Sequence, residues 1–323
     1  MKNKLIIASA LMLSFFYCGT IFAQHSTVKK SNLKTMDYSE LIRKHASEFH
    51  RNFSTGDFDK NGPLVDPKIY VNSNAAIVIG RDKFVERIKR YHTPFPKLQL
   101  KDRIVLVDGN VVGLWYVLQG TQDGPYGTIP ASGNKVNVYA AEFFTMDDKG
   151  LMKELLTITQ LGRLVKQIKG EEKVAAYEKI ELLPIKKTDA PYKKMLKDNI
   201  EAYVADFNTR DWNALNNLLA DDVHVAWNGK EGVGKQAVQD GMSMYTTAMP
   251  DLTWHLDRNV VEGDRGALAY TLNGHTEKMG ADGIPMSKAV EAREGVHLQF
   301  NEKGKIINVV VISNSDEIEA QIK

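Results

Sequence analysis

The feature that most constrains this chain is that it repeats. Shifted by 154 residues against itself, the sequence pairs Tyr38 with Tyr192, Phe53 with Phe207, Asp57 with Asp211 and Val71 with Val225. The same shift carries Gly80 onto Gly234, Tyr91 onto Tyr245, Pro96 onto Pro250, Gly109 onto Gly263 and Tyr116 onto Tyr270. It ends with Lys149-Gly150 on Lys303-Gly304 and Gln167-Ile168 on Gln321-Ile322. One register kept over so long a stretch, through glycines and aromatics, means two copies of one fold.

Within each copy the hydrophobic period changes from helical to alternating. Residues 38–54 place Leu41, Ile42, His45, Phe49 and Phe53 on one helical face, and 192–208 repeat the pattern. A short helix, a brief strand at Ile69 to Val71 or Val223 to Trp227, and a helix after Gly80 or Gly234 follow. Strands are then expected at 98–107, 111–120, 135–146 and 152–160, and at 252–261, 266–275, 288–300 and 305–313. Asp108-Gly109-Asn110 and Asp148-Lys149-Gly150 are hairpin turns by composition. Helices first and a meander afterwards predict an α+β class, each copy a curved antiparallel sheet wrapped around about three helices. The copies occupy 38–168 and 191–323. Residues 169–190 read as a charged linker with a short helical stretch near Glu171 to Glu178.

The first residues have a different character. Lys2 and Lys4 precede an apolar run from Leu5 to Ala23, the layout of a secretory signal peptide over residues 1–23, with a retained membrane anchor as the rival reading because the run nearly reaches spanning length. Cleavage after Ala23 would leave a polar, mobile segment at 24–37 and a mature protein exported to the periplasm or the cell exterior. The sole cysteine, Cys18, would leave with the leader, so no disulfide or thiol chemistry is expected. The mature chain would carry 40 basic and 40 acidic side chains. That balance gives no electrostatic reason for a nucleic-acid partner, nor for a membrane once the leader is gone. No phosphate loop, nucleophile elbow or metal-ligand spacing occurs, and no metal or cofactor is expected. The glycine-rich stretch 229–235 reads as a loop entering a helix.

The order of these elements, with Gly80-Arg81-Asp82, Phe95-Pro96, Gly120-Thr121-Gln122-Asp123-Gly124, Pro130 to Lys135 and Gln160-Leu161-Gly162, resembles the SnoaL-like polyketide cyclases. In the second copy Gly234-Lys235-Gln236, Met249-Pro250-Asp251, Gly274-His275-Thr276 and Gly283-Ile284-Pro285 carry the resemblance. It implies the cone-shaped fold shared with nuclear transport factor and ketosteroid isomerase, in two tandem domains. It also implies metal-independent ring closure by a carboxylate near the end of the last strand, four residues after a tryptophan. By position these places fall on Thr159 and Leu155 in one copy and Ser313 and Val309 in the other. A hydroxyl cannot serve as a base near neutral pH without an activator. The expectation is therefore that both copies lack the family's catalytic carboxylate. A family histidine position falls on Gln122, with His275 one residue out of register in the second copy.

The expected function is binding of a small apolar or aromatic molecule in one or both cones. The alternative is an ester cyclase, isomerase or hydrolase with rearranged acid/base residues. Glu142 and His275 are the candidate catalytic groups. Tyr116, Gln122, Thr159, Trp227, Tyr270, His275, His297 and Ser313 are the candidate ligand-binding residues. His275 and His297 sit on neighbouring strands and are expected either to face one pocket or to face solvent; His224, His255 and Arg293 add to the polar residues of the second copy. The two copies can also form an internal pseudo-dimer.

Overall fold

A computed structural model describes residues 37–177, 179–227, 230–279, 285–314, 317, 318 and 321. The expected leader and the segment 24–36 lie outside the described residues. In the first half, α1 (Tyr38–Thr55) leads through a 3-10 turn (Phe58–Leu64) into β1 (Val65–Ser73) and β2 (Ala76–Ile79). After α2 (Arg81–Lys89) come β3 (Gln99–Asp108), β4 (Val111–Thr121), β5 (Lys135–Met146), β6 (Met152–Thr159) and α3 (Leu161–Ile168). The second half gives α4 (Ala190–Thr209), α5 (Trp212–Leu218), β7 (Leu219–Trp227), β8 (Lys230–Val233) and α6 (Lys235–Ala248). It closes with β9 (Thr253–Glu262), β10 (Arg265–Met279), β11 (Pro285–Phe300) and β12 (Ile306–Ser313). Among the described residues no helix is long and apolar enough to cross a membrane.

The α1 helix forms because Ile42, Ala46, Phe49 and Phe53 recur on one face and bury against the sheet, and Gly56, at φ 77°, ends it in the left-handed conformation. His50 shares that buried face. His45, expected there, is only half-buried at its edge.

The expected sheet is corrected. Each half holds six strands, in the order β2-β1-β6-β5-β4-β3 and β8-β7-β12-β11-β10-β9. These are open sheets with two unpaired edges, neither curled into a cone nor closed. Nor are they purely antiparallel, since β1 runs parallel to β6 and β7 parallel to β12. The early strand crosses back to lie beside the last one, a long-range pairing that local alternation does not reveal. The β2 and β8 edge strands and α3 extend the expected elements, and β8 takes part of the stretch read as a loop at 229–235. No helix forms over 171–177; Glu178 lies outside the described residues.

Helices cover one face of each sheet, and the opposite faces pack on one another. Ile104, Leu106, Trp115, Ala141, Phe143 and Ile158 of the first sheet meet Val260, Ala267, Ala269, Val310 and Ile312 of the second. The contacts reciprocate under the 154-residue shift. Lys197 binds Asp108 at 2.7 Å, and the counterparts of those residues, Glu262 and Arg43, bind each other at 2.5 Å. Burial works to raise the Asp108 carboxyl, but hydrogen bonds from Lys193 and Lys197 hold it below its usual range. Gly113 lies against its own counterpart Ala267, and Ala141 against its own counterpart Gly295.

At Gly295 the sheets approach closely, and a Cβ there would stand 2.6 Å from the Ala141 Cβ. Gly295→Ala is expected to cost about 1–3 kcal/mol through overpacking. Adding Ala141→Gly should restore most of the loss, a coupling that a double-mutant cycle of denaturant melts will measure.

Candidate functional site

Five elements of the first half bring polar side chains to the helix-covered face of the sheet. Register sets their meeting. Asp102 on β3 stands opposite Tyr116 on β4, and Glu142 on β5 stands opposite Thr157 on β6. A bulge between Asp102 and Ile104 reverses the alternation of β3, which turns Asp102 to the side of α1 while Ile104 faces the other sheet. His50 descends from α1 between the two carboxylates. Its Nδ1 lies 2.5 Å from Asp102 Oδ1 and its Nε2 2.9 Å from Glu142 Oε2. Glu142 Oε1 accepts from the Tyr116 hydroxyl at 2.8 Å and from Thr157 Oγ1 at 3.1 Å.

The imidazole is almost wholly buried, which by itself would push its pKa down. The Asp102 charge and hydrogen bond, with those of Glu142, outweigh burial and raise it from 6.5 to about 10. At neutral pH His50 is therefore an imidazolium held by two carboxylates. Burial, then the neighbouring Glu142, pushes the Tyr116 hydroxyl well above its ordinary value, so it remains a donor.

Glu142 and Tyr116 form the polar floor of a cavity of about 70 Å³ walled by Phe53, Phe84, Leu98 and Leu118, with Thr157 and Thr159 at the side. His50 and Asp102 stand behind Glu142, outside that lining. Among the described residues no group of three or more His, Cys, Asp or Glu is disposed to hold a metal ion.

The second half keeps a carboxylate but not its histidine. Glu294 is fully buried and accepts from Tyr270 at 2.6 Å and Tyr245 at 2.8 Å. Val204 stands where His50 would be and Leu256 where Asp102 would be. With no cation beside it, burial raises the Glu294 pKa against the lowering bonds of Tyr270, Tyr245 and Ser313. The interior is also filled. Trp254, in the place of Leu100, stacks on Phe207 at 3.5 Å and on Tyr270 at 4.4 Å between ring centroids. Trp227, in the place of Ser73, packs on Gly241, where a Cβ would lie 2.6 Å from the indole.

These findings overturn the expectation that both copies have lost a catalytic carboxylate, and with it the binding-only reading. Buried carboxylates persist in both halves, on β5 and β11 rather than on the last strand. The constant shift hides their kinship: it sets Glu142 against Val296 and Glu294 against Ala140. A displacement of two residues keeps a strand side chain on the same face, and each carboxylate meets the equivalent tyrosine.

The other expected residues are dispersed. Thr159 borders the first cavity, its N–H donating to Asn74 Oδ1 at 2.8 Å. Gln122 is buried but staples a loop, donating to the Gly124 and Pro130 carbonyls and accepting from Ser132. Trp227 stacks on Tyr245 with centroids 5.3 Å apart. Ser313 is buried beside Glu294. His275 is half-exposed and bound to Asp251 at 2.7 Å. His297 points to the opposite sheet face, 5.6 Å from the Trp115 ring of the first half, and burial pushes its pKa down to about 3. The structure thus does not bring the two histidines together. Composition and strand position alone do not mark His50 and Asp102. His50 was within reach of helical spacing, one residue after Phe49 and three before Phe53; Asp102 depends on the bulge.

A model of the SnoaL-like polyketide cyclase matches residues 44–168, and a model of the SnoaL-like domain matches 200–309. Among solved structures, the chain is similar to a provisionally assigned SnoaL-like polyketide cyclase from Jannaschia sp. CCS1. The identity is 23% and the TM-score 0.39, over 41% of this chain and 94% of that one. It is also similar to TsrD from Streptomyces laurentii, at 23% identity and a TM-score of 0.37, over 40% of this chain and 94% of that one. An NTF2-like protein of unknown function from Exiguobacterium sp. 255-15 gives 20% and 0.29, over 36% and 98%. No curated protein matches the chain.

The ion triad predicts a stability profile. The folded His50 pKa lies above its unfolded value, so its contribution is complete below about pH 6.5 and is lost as pH rises through about 10. His50→Leu leaves the buried Glu142 and the partly buried Asp102 without their cation and is expected to cost about 3–5 kcal/mol at neutral pH. Denaturant melts from pH 6 to pH 10 should show a decline in the wild type that the variant largely lacks.

Proposed function

We propose that this chain, both halves of which belong to the SnoaL-like family, is a metal-independent acid–base enzyme whose working site lies in the first half. The observation that carries this reading is Glu142. It is the carboxylate that both floors an apolar cavity and rests on a charged relay, Asp102 to His50. The substrate class that fits is a small apolar or aromatic molecule with an acidic C–H beside a carbonyl.

Glu142 takes the proton: the C–H bond breaks, an O–H bond forms on the carboxylate, and the electron pair moves to the carbonyl oxygen. The Tyr116 and Thr157 hydroxyls, both on Glu142 Oε1 at rest, are the donors able to turn to that oxygen as the carboxylate loses its charge. Return of the proton elsewhere gives an isomer; attack of the carbanion on a second carbonyl closes a ring. His50 acts as a positioning residue, keeping the carboxylate oriented, and Asp102 keeps the imidazolium in place. The walls of phenylalanine and leucine exclude water, which strengthens these interactions. The second half, with Trp254 and Trp227 inside it, supports the first by pairing sheet faces with it as an internal pseudo-dimer. The leader-like residues 1–23 favour export, and the mass of the mature chain from its native host will decide it.

The test is hydrogen–deuterium exchange of a small enolisable ketone, such as acetone, followed by NMR in deuterated water. Glu142→Gln should slow catalysed exchange by about 10²–10⁴-fold, the usual worth of a general base. Glu294→Gln should leave it unchanged. Exchange that survives Glu142→Gln and is lost in Glu294→Gln would move the chemistry to the second half; exchange indifferent to both would end this reading.

A further inference from the structure

We propose that the substrate of the first-half site carries an oxyanion, a carboxylate or a phosphate, held at the cavity mouth by Arg87 with Lys83 and Arg90. The proposal rests on the site just assigned and names the class of molecule it selects.

A broad groove of about 910 Å³ adjoins the cavity, and Arg87, Tyr91 and Tyr126 border both spaces. Three cations line the groove, Lys83, Arg87 and Arg90, and no carboxylate does. Among the described residues the side chains of these three make no ion pair or hydrogen bond. The neighbouring cations of the same helix are committed, Arg81 to Asp82 at 3.6 Å and Lys89 to Asp59 at 3.0 Å. The helix thus leaves Lys83 and Arg87 free over the groove, with Arg90 just past its end. A guanidinium presents a planar fork matched to an oxyanion, and half-buried Arg87 is the one of the three that also lines the cavity.

Part of the lining is apolar. Ile77 and Ile79 of β2 line the groove and are 57% and 60% exposed. A groove lined by both isoleucines and unpaired cations fits an amphipathic anion. It does not fit a neutral hydrocarbon, which leaves the cations unused. The full chain has a formal charge of only +2, so the cluster is not part of a generally basic surface.

The second half gives an internal control. At the places of Lys83, Arg87 and Arg90 it has Ala237, Gly241 and Met244, all uncharged, and Glu231 stands in the place of Ile77. The half whose interior is filled by Trp254 and Trp227 has no cationic rim. The rim accompanies the open cavity, as expected if both serve one ligand.

The test uses binding, so it does not depend on turnover. Naphthoate, naphthyl phosphate and neutral methyl naphthoate are titrated into the full chain by calorimetry at low and at high salt. At low salt at least one anion should bind about tenfold more tightly than the ester, a difference of roughly 1.4 kcal/mol, and salt should shrink that margin. Which anion gains more separates carboxylate from phosphate. Arg87→Met should bring the anions down to the affinity of the ester and leave the ester unchanged, with Arg90→Met giving a smaller loss. Glu142→Gln should keep the anion preference even where exchange is abolished, which distinguishes failure of the catalytic reading from failure of this one. Equal binding of anions and ester by the wild type, or an Arg87→Met variant that weakens all three alike, would overturn the proposal.

Discussion

Both faces of each sheet are covered, one by helices and one by the other sheet, and the rest of the molecule follows from that. Val112 to Gly120 of β4 is buried without a break, so its odd and even residues serve different masters. Leu114, Tyr116 and Leu118 look toward the helices, and Gly113 and Trp115 toward the second sheet. The same division on β5 sends Glu142 to the site and Ala141 and Phe143 to the interface. The interface tolerates this because Ala141 and Gly295 offer almost no side chain where they meet. A repeated chain meeting itself across an approximate twofold makes each favourable pair count twice, as Asp108 with Lys197 and Glu262 with Arg43 show.

A carboxylate on a strand covered on both faces has little water around it, so its chemistry depends on its neighbours. Glu142 is met by an imidazolium and two hydroxyls, Glu294 by tyrosines with no cation. One residue type on equivalent strands is thereby given two sets of partners, and for Glu294 burial raises the carboxyl above its ordinary range. The substitutions that remove the histidine and its aspartate in the second half coincide with those that fill its interior with indole. In the second half the loss of the relay and the indole packing go together.

Much of the architecture was legible in the chain. The 154-residue register, the turns at Gly109 and Gly150, and the late strands of each half are local or repetitive signals, and they appear in the folded protein close to where periodicity placed them. Glu142 and Tyr116 could be marked as polar or aromatic residues inside strands, and Thr159 as a strand-end hydroxyl.

What the sequence by itself determined was the duplication and the order of its elements, because repetition and hydrophobic period are written along the backbone. What only the tertiary structure decided was which side chains meet. The β1 strand pairs with β6 in parallel across most of a domain, a contact no local pattern encodes. His50 reaches Glu142 over 92 residues of chain and Asp102 over 52. Asp102 faces the site only because a bulge reverses the alternation of β3. The two carboxylates escape the constant shift because a strand needs a side chain on the right face within reach of its tyrosine, and positions two residues apart satisfy that equally.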